Sequence, residues 1–131
     1  MKNEQLIEYM ASTLPYSTFY KVDGIEKPMK LLRIEIDEKD GVLLDFESDR
    51  EDGLPIQVYS SEAKPFVRTM DSMTREEKGK YSQIILCEKN PTYFTTCAKI
   101  TRYLDSIHID YFNLAENDMA IAVTEENNPY A

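Results

Sequence analysis

Residues 30–47 read Lys-Leu-Leu-Arg-Ile-Glu-Ile-Asp-Glu-Lys-Asp-Gly-Val-Leu-Leu-Asp-Phe-Glu, and they decide the fold class. Leu32, Ile34 and Ile36 alternate with Arg33, Glu35 and Asp37. Successive side chains on a strand point to opposite faces, so this spacing predicts a half-buried strand. Asp40-Gly41 is a turn dipeptide, because glycine accepts the positive φ that a tight hairpin needs. Beyond it Val42, Leu44 and Phe46 alternate with Leu43, Asp45 and Glu47. The stretch is a β-hairpin with one apolar and one wet, acidic face.

Working outward to the N-terminus, Asn3 is placed to cap a helix. Its apolar positions, Leu6, Ile7, Met10 and Leu14, have helical spacing, and Pro15 stops it. Thr18, Phe19, Tyr20 and Val22 are β-formers that end at the Asp23-Gly24 turn. After the hairpin, Asp49 to Pro55 is a polar loop and Ile56 to Tyr59 a short strand.

The second half carries mixed signals. Ser61 to Asp71 reads as a helix with Pro65 in its first turn. Thr74-Arg75-Glu76-Glu77 fits a capping box opening a short helix, which Gly79 is expected to end. Gln83 to Cys87 is an apolar run of strand length, read as a buried strand, with helical continuation from Thr74 as the rival. Asn90-Pro91 opens another helix, whose stripe is Tyr93, Cys97, Ile100, Leu104 and Ile107. His108 to Leu114 reads as a strand, Ala115 to Asp118 as a turn, and Met119 to Thr124 as a returning strand. Residues 125–131 hold little beyond Tyr130 for a core and read as a flexible tail. The expectation is a single α+β domain over 1–124. It has an N-terminal helix, a β-meander and a β-α-β-β end, with a mainly antiparallel sheet and helices on one face.

Composition bounds the function. The chain has 131 residues, 24 acidic and 15 basic, for a net charge of −9. One domain of this size buries about 70% of its unfolded surface and needs no covalent staples. No run of about 18 apolar residues is present, so no membrane span is expected. Lys2 is followed by acids, so no secretory leader is expected either. Two cysteines, Cys87 and Cys97, fit a reducing, cytoplasmic setting, and they pair only if the fold brings their Cα atoms within about 7 Å. Four glycines, none in a glycine-rich loop before a helix, argue against a phosphate-binding loop.

Charge is segregated. Nine acids and two bases lie between Glu35 and Asp52, eight bases and four acids between Lys64 and Arg102, and six acids with no Lys or Arg from Tyr103 onward. The basic stretch interleaves Lys78, Lys80, Lys89, Lys99 and Arg102 with Tyr81 and Tyr103, a composition that single-stranded nucleic acid favours. The chain as a whole repels phosphate, so direct nucleic-acid binding is disfavoured. His108 is the only imidazole, and Cys97 is expected on the core stripe of its helix, so a Cys–His nucleophile is disfavoured. No catalytic residue, cofactor site or metal site is assigned.

The distinctive feature is the acidic run. Glu35, Asp37, Asp45, Glu47, Asp49, Glu51 and Asp52 are the candidate partner-binding residues. The reading they favour is a non-catalytic, acidic protein-binding module, of an inhibitor, immunity or anti-defence type. It engages a basic, nucleic-acid-binding surface on another protein. One alternative is a small-ligand-binding or regulatory domain whose β-α-β-β end supplies a pocket or the face of a homodimer. A second is a carboxylate enzyme, with or without a divalent ion, needing Asp45, Glu47 and either Glu35 or Asp37 to converge in a cleft.

Overall fold

The computed structural model describes residues 2–39, 41–86 and 93–131. Helix α1 spans Lys2–Thr13 and passes into a 3-10 turn at Leu14–Tyr16. Strands β1 (Phe19–Val22), β2 (Met29–Asp37), β3 (Gly41–Phe46) and β4 (Ile56–Tyr59) follow as a meander. A 3-10 turn at Ser60–Glu62 leads into β5 (Ala63–Val67), then come helices α2 (Arg75–Leu86) and α3 (Tyr93–Ser106), and finally the two-residue β6 (Ile121–Ala122). The six strands form one sheet in the order β4-β3-β2-β1-β5-β6, antiparallel except for the β5–β6 pair. The α+β class, the N-terminal helix and the meander are as the sequence predicts.

This sheet cannot be flat. Tyr59 ends β4 and Ala63 begins β5, and four residue steps reach at most about 14 Å. Four strand spacings across a flat sheet come to about 19 Å. The sheet therefore curls, bringing its β4 edge round toward β5 as a half-closed barrel. Its interior is one apolar cluster fed by the four meander strands and β5: Tyr20, Val22, Met29, Leu31, Leu44, Phe46 and Ala63, with Ile34, Val42, Ile56 and Val58 packed around them. Met10 and Leu6 of α1 fill the same cluster. Tyr20 and Phe46 meet edge to face inside it, with centroids 5.4 Å apart.

The curl turns on one residue. Leu31 lies opposite Phe46, but Arg33 lies opposite Asp45, so two steps along β2 match one along β3. Leu32 is the extra residue of a β-bulge, which bends a strand and shifts its alternation. Met29 and Leu31 therefore face the core on one side of the bend, and Ile34 on the other. The expected inward row Leu32, Ile34, Ile36 is corrected: Leu31 is 2% exposed, Leu32 47%. Ile36, near the hairpin tip, extends past the core and is 77% exposed. The Asp40 half of the predicted turn lies outside the described residues, while Gly41 has the expected positive φ of 81°.

The second half departs further from the sequence reading. Residues 63–67 form a strand, not a helix, and Pro65 sits within it opposite Tyr20. The capping box at Thr74 is present: Thr74 N–H donates to Glu77 Oε1 at 2.8 Å, and Glu77 N–H donates to Thr74 Oγ1 at 3.1 Å. The helix it opens does not stop at Gly79 but runs to Leu86. Residues 83–86 are thus helical rather than a buried strand, as the rival reading had it. Cys87 and the Asn90-Pro91 cap lie outside the described residues. Met73, Leu104 and Ile109 anchor a second apolar cluster with Tyr81, Ile100, Tyr103 and Ile107, so the C-terminal half of the predicted α3 stripe is core.

Residues 108–114 do not make a strand. They give a single parallel bridge, Ile109 to Arg68, and then turn. His108 has a left-handed φ of 62° and its carbonyl accepts from Arg68 N–H, while Asp110 N–H donates to the Arg68 carbonyl. The Asp110 carboxylate then accepts from Leu114 N–H and Ala115 N–H, stapling the turn. The expected return strand 119–124 shrinks to Ile121–Ala122, parallel to β5. The predicted β-α-β-β end is therefore not formed. A third cluster, Tyr9, Val67, Leu114 and Ala120, ties α1 and β5 to this region.

Candidate functional site

The outer face of the β2-β3-β4 hairpin layer carries the sequence's acidic residues, and the strand register sets their rows. Arg33, Asp45 and Gln57 lie side by side across the three strands, and the next row is Glu35, Leu43 and Tyr59. Arg33 donates to Asp45 Oδ2 through Nε at 2.7 Å and pairs with it again through Nη2 at 2.6 Å. The same Nη2 lies 2.8 Å from Glu35 Oε1. Gln57 Nε2 donates to Asp45 Oδ1 at 2.8 Å and to Glu35 Oε2 at 3.2 Å. Asp45 is the hub, and these neighbours cover it until the residue is 3% exposed. Its hydrogen bond to Arg33, reinforced by the charge of Glu35, holds the guanidinium pKa above its ordinary value.

The seven candidate acids do not converge. Glu35 and Asp45 meet through Arg33 and Gln57. Asp37 lies at the hairpin tip, where its carboxylate accepts from Lys39 N–H. Glu47, Asp49, Glu51 and Asp52 lie at the other end of β3, one strand length of roughly 20 Å away. There Asp49 pairs with Lys27 at 2.8 Å and Asp52 with Arg50 at 2.7 Å. The hydrogen bond from Lys27 lowers the Asp49 pKa, and both groups are largely solvated. Pairs of this kind in water contribute little to stability. A shallow groove of about 220 Å³ runs between this loop and the β1–β2 connection, lined by Phe19, Lys27, Lys30, Glu47 and Asp49.

Chemically this face is an open surface on which one guanidinium serves two carboxylates. Among the described residues, no group of three or more His, Cys, Asp or Glu side chains is arranged to hold a metal ion. Asp45 and Glu35, the two carboxylates that do meet, lie on a sheet face rather than in a cleft, with Arg33 between them. The sequence reading missed Arg33, Gln57 and Tyr59 as members. Arg33 was legible as the cation of the alternating strand, but its partner depends on the bulge. Tyr59 is 47% exposed beside Leu43 and supplies the face with an aromatic.

A second polar locus lies behind β5. Arg68 grips Glu77 with two parallel bonds, Nη1 to Oε2 at 2.8 Å and Nη2 to Oε1 at 2.7 Å. It also donates to the carbonyls of Ser72 and Ile107. The Arg68 bonds, together with the Thr74 cap, hold the Glu77 carboxyl down at about 2 despite its partial burial. Beside Arg68, His108 stacks flat on Tyr130, with centroids 3.8 Å apart and planes 11° from parallel. Burial first, and the Arg68 charge second, push the imidazole down to about 4.

His108 is therefore neutral in the folded protein at pH 7. Because its folded pKa lies below the unfolded value of 6.5, its contribution to stability is whole above pH 6.5 and is lost as pH falls through 4. The expected loss is on the order of 2 kcal/mol after allowance for solvent screening. Urea unfolding of the wild type and His108→Asn across this range checks it, since asparagine tolerates the left-handed backbone. Equal slopes in the two proteins would refute the assignment.

No family model, no curated protein and no solved structure matches this chain. Among the described residues, no helix is long and apolar enough to cross a membrane.

Proposed function

We propose that the protein is a non-catalytic binding module of the cytoplasm whose outer β2-β3-β4 face docks on a basic surface of another protein. The observation that carries this reading is the half-exposed Tyr59, set beside Leu43 and the Arg33–Asp45–Gln57–Glu35 lattice and flanked by solvent-facing acids. Tyrosine brings contact area and a hydroxyl at low entropic cost, which suits an interface centre. The solvent-facing acids at the two ends, Asp37 on one side and Glu47 and Glu51 on the other, steer a cationic partner toward that centre. Arg33 and Gln57 already satisfy Asp45 and Glu35, so the role of these two acids is to hold the face rigid.

This division of labour makes a testable distinction among the acids. Glu47→Lys combined with Glu51→Lys is expected to cut capture of a basic partner from native lysate by at least about tenfold at low salt. Its thermal stability should remain that of the wild type, because both sites are solvated. Tyr59→Ala should weaken capture at low and high salt alike. Capture that is indifferent to the charge reversal, or unchanged between 50 mM and 500 mM salt (roughly 14 and 4 Å screening lengths), would refute electrostatic docking.

A further inference from the structure

Tyr130 is seated between two strands of the sheet. β1 and β5 pair antiparallel with Tyr20 opposite Pro65 and Val22 opposite Ala63. Continuing that register places Phe19 opposite Phe66. Instead of bonding across the seam, Phe19 N–H donates to the Tyr130 hydroxyl at 3.1 Å, and that hydroxyl donates to the Phe66 carbonyl at 2.9 Å. A phenol is thus inserted into the ladder, both of its hydrogen-bonding roles used by backbone.

The surroundings of the ring complete a socket. The His108 imidazole covers one face, and the Phe19 ring meets Tyr130 edge to face with centroids 5.7 Å apart. His108 is 8% exposed, and its Nδ1 is buried with no hydrogen-bond partner. The imidazole plane offers the ring a stacking surface, so the socket selects an aromatic ring by shape and a hydroxyl by the two backbone groups.

The rest of the tail is lightly held. Val123 N–H donates to the Val67 carbonyl, and past it the hydrogen bonds joining 124–131 to the barrel strands both end on the Tyr130 hydroxyl. The other hydrogen bonds along the tail are local, such as Thr124 N–H to Asn127 Oδ1 and Tyr130 N–H to Asn128 Oδ1. Two grooves, of about 610 and 450 Å³, flank the anchor, and Arg68 and Tyr130 line both. The Tyr130 ring is thus a wall common to both grooves.

We propose that residues 124–131 are a latch held by a phenol-specific socket at the β1–β5 seam, which Tyr130 fills in cis and which a tyrosine side chain from a partner segment fills in its place. Occupation in trans releases the tail and opens the grooves beside Arg68 and His108. This goes beyond the docking surface above, and either can fail without the other.

The test uses the full chain carrying Tyr130→Ala, with 4-methylphenol as the tyrosine side-chain probe and toluene as its match without the hydroxyl. Thermal unfolding of the variant should rise with 4-methylphenol and rise less with toluene, while the wild type responds to neither. Equal responses to the two probes, or no response to 4-methylphenol, would overturn the socket. Native-state hydrogen exchange on the unaltered chain tests the latch independently of whether that variant folds. The Phe19 amide should exchange through an opening that is insensitive to low urea, well before the core amide of Leu44. Exchange of Phe19 only with global unfolding would overturn the latch.

Discussion

Replacing Arg68 with alanine is expected to lower folding stability by about 3 kcal/mol at pH 7, since breaking a buried ion pair strands the remaining charge. The side chains of Arg68 and Glu77 are 19% and 17% exposed, enough to moderate that loss but not to abolish it. Three elements lose a joint at once. Arg68 pins the start of α2 through Glu77, the 70–72 turn through the Ser72 carbonyl, and the end of α3 through the Ile107 carbonyl. The effect should also depend on pH, with a sign that follows from Glu77. Its folded pKa, about 2, lies below the ordinary 4.5, so its contribution is whole above pH 4.5 and is lost as pH falls through 2. With Arg68 gone, Glu77 titrates nearer its ordinary range. The gap between wild type and variant should therefore narrow by about 2 kcal/mol as pH drops from 5 to 2, after discounting for screening. Urea titrations at several pH values measure it, and a gap that stays constant would mean that Arg68 acts by packing alone.

The second large effect separates two adjacent leucines. Leu31→Ala is expected to cost about 3 kcal/mol, the range for removing a fully buried leucine from a packed core. Leu32→Ala should cost less than about 1 kcal/mol, as for an exposed position. The difference rests on the bulge, which places Leu31 against Phe46 and leaves Leu32 as the unmatched residue. Simple alternation from Lys30 to Asp37 predicts the reverse order. Chemical denaturation of the two variants therefore decides between a bent and a straight β2. Equal costs, or a larger cost at Leu32, would contradict the curled sheet and with it the placement of Arg33 over Asp45.

The bulge explains much of what was and was not legible in the candidate site. Alternation correctly put Leu44 and Phe46 inside and Asp45 on the opposite face. It could not show that Asp45 is covered, because cover comes from Arg33 and Gln57 on two neighbouring strands. Nor could the linear run from Glu35 to Asp52 reveal that its acids separate to the two ends of β3. An extended strand separates residues close in sequence, so Asp37 and Glu47 part, while the hairpin brings Glu35 and Asp45 onto one guanidinium. The capping box at Thr74 was readable because both of its bonds are local. Glu77's second partner was not, since Arg68 reaches it from another element.

The same contrast between local and distant partners runs through the fold. The sequence by itself determined the α+β class, the N-terminal helix, the four-strand meander, the start of α2 and the apolar stripe at the end of α3. Each follows from spacing or from contacts within a few residues, which the chain carries wherever it goes. Only the tertiary structure decided that residues 63–67 are a strand rather than a helix. β1 supplies the ladder that a Pro-containing segment lacks in isolation, and tertiary pairing overrides weak local preference. In the opposite direction, 83–86 joined α2 because the capped helix had already begun, and extending a helix costs less than starting a new element. The curl of the sheet, the burial of Asp45 and the seating of Tyr130 between Phe19 and Phe66 belong to the same class. Each joins groups far apart in sequence, so each exists only once the sheet has curled around Tyr20, Leu44 and Phe46.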